Sequence, residues 1–377
     1  VSGAAPRALL LSVGSELLVG ETVDTNAAHL GAELARAGVE LIGVRQLPDD
    51  RASISAAFVE ARDAVELVVV TGGLGPTHDD VTREGLADAL RESLAPHPTL
   101  EADLRQRFAA YGRMPESNLR QAMLVPSAEV LSNPIGSAPG WWVDRDGSVT
   151  VLLPGVPSEM RRMWTEQVVP RLGRRFALRP LHVRTVKTFG IGESAVAEML
   201  GDLLESPGEG VSTGIYARDD GVHLRFSTRE DPTLLDAPVF RALAALGDDV
   251  WGTDDTELAE VAMAALGRAG VATVASWEAD TEGALLALLA RTQPAADAAR
   301  FVGGLLDAGG AAATPVADAV IQLSLLPADA HGRSRVRVSV AGTVTMARAE
   351  VRIHGSGPQR LRRAAFAALN QVRRAAR

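Results

Sequence analysis

Three short stretches of the chain carry residue types that could do chemistry on a phosphate. They are "GSE" (Gly14 to Glu16), "PDD" (Pro48 to Asp50) and "TGGLGPTHDD" (Thr71 to Asp80). Gly72, Gly73 and Gly75 let backbone N–H groups come close to a phosphate, and the helix that follows adds the positive end of its dipole. Asp79 and Asp80 stand beside that cradle. Two anions repel a bare phosphate, so their presence makes sense if a divalent cation bridges carboxylate and phosphate oxygens. Asp80 also fits a simpler role as the cap of the following helix, and both readings stay open. The rival nucleotide motifs fail: there is no G-x-x-x-x-G-K-[ST], and Gly73-Leu-Gly75 lacks the third glycine of G-x-G-x-x-G.

Each of the three stretches follows an apolar run that reads as a strand: Ala8 to Val13, Val39 to Leu47, and Leu67 to Val70. Helices alternate with them. The first begins at a cap on Asp24 or Thr25 and stops at Gly38, the second spans Ile54 to Ala64 with Ile54, Ala57, Phe58 and Ala61 on one face, and the third spans Val81 to Leu94. A βαβαβα series implies an α/β, doubly wound parallel sheet, whose ligands bind beyond the carboxyl ends of the strands. The three polar stretches are therefore expected on one rim. "GWWV", "SVTVLLPG" and a helix from Ser158 to Arg171 complete a first domain over 1–171.

The pattern then changes. A strand in "LHVRTVKTFGIG", a helix from Glu193 to Leu204, two strands joined by a turn ending at Gly221, and a helix from Pro232 to Leu246 form a small α+β domain over 172–253. The third domain, 254–377, opens with a helix and continues into "VATVASWEADTEGALLALLA" (Val271 to Ala290), a strand, a turn over Trp277 to Glu282 and an amphipathic helix. Strands from Ala319 to Ile353 and a helix begun by Pro358 close it.

Length and composition bound the rest. A chain of 377 residues, 46% hydrophobic and 23% charged, suits two or three globular domains. No apolar run is long enough to cross a bilayer, and the apolar start runs straight into the first strand without signal-peptide architecture, so a cytoplasmic protein is expected. With no cysteine, thiolate catalysis and Cys-ligated zinc are excluded. The net charge of −9 argues against general nucleic-acid binding. From His331 to Arg377, however, 11 arginines face a single glutamate, and this basic tail either pairs with the acidic body or meets an acidic partner. Lys187 is the only lysine.

At "GSELLVGETVDTNAAHL", "TGGLGPTHDDVTREGLA", "NPIGSAPGWWV", "LLPGVPSEMRRMW" and "KTFGIGES" the chain resembles the competence/damage-inducible CinA family. The resemblance implies a molybdopterin-binding-like first domain, a KH-type middle domain, a nicotinamide-nucleotide amidase-like third domain and a homodimer. It also implies hydrolysis of the pyrophosphate of ADP-ribose, a small-molecule nucleotide, with a divalent metal (Mg, Mn or Co) and potassium. Carried over by position, the site residues are Glu16, Asp24, Asn26, Asp49, Gly72, Gly73, Gly75, Asp79 and Asp80. Asp79 and Asp80 are expected as metal ligands, with Asp49 as a further ligand or a base. Asn26 either binds sugar or phosphate or caps its helix. Lys187 either reaches a phosphate from the middle domain or is an exposed lysine without a role. "FGIGES" lacks the KH G-x-x-G loop.

The third domain departs from the family. Members that deamidate nicotinamide mononucleotide carry "AESCTGG" between strand and helix, with the serine as nucleophile. Here "WEADTEGALLA" puts Glu278 under Glu, Ala279 under Ser, Thr281 under Thr and Glu282 under the first Gly. Alanine has no nucleophilic oxygen, and Glu282 adds negative charge where an oxyanion would develop. Ser276 and Thr281 are the nearby hydroxyls, and each would need a base; His331 and His354 lie far off in sequence. The expectation is one working site, in the first domain, with an amidase-like domain that has lost its chemistry. The readings left beside it are a pterin- or nucleotide-binding protein without turnover, and a residual deamidase.

Overall fold

The computed structural model describes residues 5–109, 112, 114–292, 295–307, 316–328 and 334–376. The chain divides into two compact units that meet between Leu181 and His182.

In chain order the first unit runs β1 (Arg7–Val13), α1 (Ser15–Leu18), α2 (Thr25–Ala37), β2 (Glu40–Leu47), α3 (Arg51–Ala64), β3 (Leu67–Thr71), α4 (Thr82–Leu90), β4 (Ala95–Pro96), α5 (Pro98–Ala109), β5 (Met123–Leu124), β6 (Ala128–Leu131), β7 (Gly140–Arg145), β8 (Ser148–Leu153), α6 (Pro157–Met163) and α7 (Val169–Arg175). Its main sheet has the order β2-β1-β3-β8-β7-β6. The first four strands in that order are parallel, as the alternating pattern predicts. The last two pair antiparallel and make the sheet mixed, because β7 and β8 are joined by a tight turn at Asp146 and Gly147 rather than by a helix.

Both faces of the sheet are covered. Val68 and Val70 of β3 pack with Phe58, Ala61 and Leu86 of α3 and α4, while Leu67 and Val69 pack with Leu30, Leu34 and Trp164 on the other side. This two-sided burial is why β3 is apolar at every position before Thr71. Helix α4, expected to reach Leu94, stops at Leu90, where Arg91 takes a left-handed φ of 55°. The parallel register sets Ser12 beside Thr71, Val13 beside Leu47, and Thr71 beside Leu153. The segments leaving β1, β2, β3 and β8 therefore emerge side by side at one edge.

The second unit runs β9 (His182–Thr188), α8 (Glu193–Met199), α9 (Gly201–Glu205), β10 (Val211–Arg218), β11 (Gly221–Thr228), α10 (Asp236–Leu246), β12 (Val250–Thr253), α11 (Leu258–Arg268), β13 (Thr273–Ala279), α12 (Ala284–Arg291), β14 (Arg300–Asp307), β15 (Ala319–Leu326), β16 (Ser334–Gly342), β17 (Met346–Ile353) and α13 (Gly357–Ala375). An antiparallel sheet ordered β10-β11-β9-β12 precedes a mixed sheet ordered β14-β13-β15-β16-β17. Two differences from the sequence reading are local. The helix expected from Glu193 to Leu204 breaks at Leu200, and a short strand, β12, adds to the edge of the first of these sheets. The low-complexity loop after Asp307 lies largely outside the described residues.

The basic tail finds acidic partners within its own unit: Arg337 pairs with Glu350 at 2.8 Å, Arg362 with Asp219 at 2.7 Å and Arg374 with Asp249 at 2.8 Å. Such exposed pairs are each worth only about 0–1 kcal/mol, so they account for the charge more than for stability. No helix among the described residues is long and apolar enough to cross a membrane.

Phe58 is fully buried between α3, α4 and the sheet that carries the rim. Phe58→Ala is expected to lower the unfolding free energy by about 3–5 kcal/mol in urea denaturation, the cost of a large buried truncation. A loss below about 1 kcal/mol would contradict this packing.

Candidate functional site

The edge where β1, β2, β3 and β8 end encloses a cleft of about 450 Å³. Glu16, Asp49, Gly72, Gly73, Gly75, Asp79 and Asp80 all line it, so the three polar stretches do converge. The fourth strand end also contributes, through Gly155 and Glu159.

The glycines are demanded by the backbone. Gly72 has a φ of 96°, and a Cβ there would lie 2.1 Å from the carbonyl oxygen of Val13. At Gly73, also at positive φ, a Cβ would meet the Thr82 hydroxyl at 2.1 Å. That hydroxyl donates to the Gly72 carbonyl at 2.9 Å. Asp80 braces the next part of the loop. Its Oδ1 accepts the Gly75 N–H at 2.7 Å, and its Oδ2 accepts the Thr77 N–H at 2.9 Å together with the Thr77 hydroxyl. The helix-cap reading of Asp80 fails, since Val81 holds the cap position of α4 and no side chain caps it. With both oxygens turned onto its own loop, Asp80 shapes the site rather than reaching across it.

Two arginines hold the loop from behind. Arg83 is buried and donates to the Leu74 carbonyl at 2.7 Å, and burial pushes its pKa down to about 10, which still leaves it charged at neutral pH. Arg120 donates to the carbonyls of Thr77 and Asp80 and to Glu84 at 2.7 Å. The sequence reading named neither.

Asp49 is tied to α1: its Oδ2 accepts the Ser15 N–H at 2.8 Å, and its own N–H donates to the Ser15 hydroxyl at 3.2 Å. Its other carboxylate oxygen has no hydrogen-bond partner among the described residues. Asp79 is exposed, and its pKa is held below the ordinary carboxylate value, chiefly by the Thr77 hydroxyl and then by His78 and Arg120. Glu159, also missed, accepts from the Asn133 side chain at 2.6 Å. The strand-end rule that selected the first three stretches would have found it, had it been applied to "LLPGVPSE".

Asp24 and Asn26 do not line the cleft. Asp24 accepts the Ala27 N–H at 2.8 Å and caps α2, whereas Asn26 donates its side-chain amide to the carbonyl of the lining residue Gly155 at 2.7 Å. Asn26 thus does not cap its helix. The remaining side-chain oxygens, Asp24 Oδ2 and Asn26 Oδ1, are buried with no hydrogen-bond partner.

The cleft is acidic at its surface. Glu16, Asp49, Asp79, Asp80 and Glu159 line it, without any arginine or lysine in the lining. Like unit charges 4 Å apart cost about 4 kcal/mol at an effective dielectric near 20, so these carboxylates work against the entry of a bare polyanion. Among the described residues no three acidic or histidine side chains come together to hold a metal.

Residues 9–174 match the model of a "Probable molybdopterin binding domain", and residues 183–252 match that of a "Damage-inducible protein CinA KH domain". A CinA-like protein of Thermomicrobium roseum is 45% identical over 77% of this chain and 72% of its own length. One from Deinococcus radiodurans is 44% identical over 77% and 72%. The chain belongs to the CinA family. The solved structure of the protein CinA from Thermoplasma acidophilum is 33% identical, covering 45% of this chain and 98% of its own, with a TM-score of 0.42.

In this CinA-family chain the turn of the last α/β element is Asp280 to Gly283, since β13 continues through Trp277 to Ala279. Asp280 and Glu282 hold positive φ values of 59° and 52°, followed by Gly283 at 75°. The turn keeps a backbone form that glycine favours, at a cost of about 1–2 kcal/mol for each residue that carries a Cβ. Glu278 is buried and points into the start of α12, where it accepts the Thr281 hydroxyl at 2.7 Å and the N–H groups of Leu285 and Leu286 at 3.0 and 2.7 Å. The protein's own carboxylate therefore occupies the helix amides that an anionic ligand would use. Ser276 and Thr281 are buried as well. His354 lies beyond β17, and His331 falls outside the described residues. Lys187 is engaged within the second unit: its ammonium donates to the Thr256 carbonyl at 3.0 Å and sits 5.1 Å over the Trp251 ring.

These roles separate two adjacent aspartates. Asp80→Ala is expected to destabilise the protein by about 1–3 kcal/mol, because it strands the Gly75 and Thr77 amides. Asp79→Ala, at an exposed side chain, should leave the melting temperature unchanged. The reverse pattern would overturn the assignment.

Proposed function

We propose that the first unit hydrolyses the diphosphate of ADP-ribose or a related nucleotide with the help of a divalent cation. We infer in addition that the amidase-like domain is inactive, Ala279 standing where the nucleophilic serine would be. The observation that carries the first reading is the pairing of a main-chain glycine loop with a cleft whose lining holds carboxylates and no basic side chain. A protein built only to bind a phosphate would line such a cleft with arginine or lysine.

The residues present fit the cation that the family resemblance implies. Asp79, exposed and held ionised, offers its carboxylate to the cation, while the one unpinned oxygen of Asp49 is kept for the water. When bound, a magnesium, manganese or cobalt ion would neutralise the diphosphate and make a water more acidic. The unpartnered oxygens of Asp24 and Asn26 are the donors left for potassium.

The chain's own part is positional. The loop from Gly72 to Gly75 receives a phosphate on the amides of Gly73 and Leu74, since the Gly72 N–H donates to the Leu153 carbonyl and the Gly75 N–H to Asp80, which holds the loop in shape. The free oxygen of Asp49, whose partner oxygen is pinned by Ser15, takes a proton from the attacking water. Water adds to phosphorus, the bridging P–O bond breaks, and the products are AMP and ribose 5-phosphate.

A second reading has support of its own. The commitment of both Asp80 oxygens removes one of the two expected ligands, and this favours a pterin- or nucleotide-binding protein without turnover. The matched model of a "Probable molybdopterin binding domain" points the same way.

Incubation of purified protein with ADP-ribose and magnesium, manganese or cobalt should release AMP, and Asp49→Asn should lower kcat by about 100-fold or more if Asp49 is the base. Saturable binding with no AMP formed under any of the three metals would select the binding reading. Ammonia release from nicotinamide mononucleotide that survives Asp80→Ala but not Ser276→Ala would overturn the inference that the amidase-like domain is inactive.

A further inference from the structure

The second unit contains another cleft, of about 280 Å³, and nothing in the hydrolase reading uses it. It is lined by the loop after β9, by the β10–β11 hairpin, and by the end of β17 together with α13. Part of the lining is apolar: Phe189, Ile191, Val222 and Ile353. The basic part comes from Arg218, Arg352, His354 and Arg363, three of them from the arginine-rich end of the chain. Among the described residues Arg218 and Arg352 have no carboxylate partner.

Charge in this cleft is opposite to that of the first. Asp219 is engaged by Arg362 at 2.7 Å and Arg363 at 3.7 Å, so its charge is already matched. Glu193 remains, against two unmatched arginines.

A second observation is independent of charge. Gly192 lies on the lining in extended backbone, φ −83° and ψ 158°, which any residue adopts. A Cβ added there would meet nothing within 4 Å. Gly192 is the N-cap of α8, a position that suits glycine, and it leaves bare backbone on the wall of the cleft.

We propose that this cleft binds a nucleoside monophosphate, its phosphomonoester on Arg218 and Arg352 and its base against the apolar part of the lining. A guanidinium forms paired, charge-assisted bonds to a phosphate, and an apolar wall accepts the face of a heterocycle. The same phosphomonoester occurs at the 5′ end of a nucleic-acid strand. The isolated size of the cleft and the net charge of −9 favour the free nucleotide. The site stands whether or not the first unit hydrolyses ADP-ribose.

The test is calorimetric titration of the full chain with AMP in EDTA, where the carboxylate-lined cleft of the first unit lacks the cation that would accompany an anion. Saturable one-site binding is expected, weakened about tenfold or more by Arg352→Ala or Arg218→Ala, the loss of one charge-assisted contact. Gly192→Ala should stay folded and lose AMP binding. Four results would overturn the proposal: no binding of AMP, inorganic phosphate binding as tightly as AMP, a 5′-phosphorylated oligonucleotide binding more tightly than AMP, or undiminished AMP binding by the folded Gly192→Ala protein.

Discussion

The structure of the first unit turns on one carboxylate. Asp80 accepts two backbone amides and a hydroxyl from its own loop, and so fixes the path of the chain from Gly75 to Thr77. Without that brace the loop amides would seek other partners, as backbone donors withdrawn from water must. Everything else at the edge is arranged around it. The glycines pass beneath Val13 and Thr82, Arg83 and Arg120 grip the loop from behind, and the ends of four strands bring Glu16, Asp49 and Glu159 to face it. The arginines thus spend their charge on carbonyls behind the loop, and the open side is left to carboxylates.

The cleft of the first unit is acidic and that of the second is basic. On the reading proposed here, a cation accompanies a diphosphate into the acidic cleft. The cleft in the second unit, with unmatched arginines, has no such requirement. The arginine-rich end of the chain, which composition alone left between self-pairing and an acidic partner, pairs in part with its own unit. Arg337, Arg362 and Arg374 pair with acids of their own unit, and Arg352 does not.

The layout of the first unit was legible because buried parallel strands and amphipathic helices leave periodic traces, and Leu67 to Val70 or Ile54 to Ala61 could hardly be read otherwise. The convergence of Glu16, Asp49 and the glycine loop followed from the parallel topology, not from any single motif. What stayed hidden depended on side-chain direction. Asp79 and Asp80 are neighbours of identical type, and only the fold shows that one faces the cleft while the other is turned onto the loop. Arg83 and Arg120 gave no signal, being ordinary arginines on ordinary helical segments. In the second unit Ala279 and Glu282 were plain from the sequence, whereas the burial of Glu278 against the amides of α12 needed the coordinates.

The central claim is that a nucleotide diphosphate and a divalent cation enter the first cleft together. Its most direct test is the affinity for ADP-ribose measured as a function of magnesium concentration, with an endpoint in EDTA. The account predicts reciprocal coupling, with affinity rising as magnesium rises and magnesium affinity rising with ADP-ribose, and both effects lost in Asp79→Ala. Equal affinity for ADP-ribose in EDTA and in magnesium would contradict it.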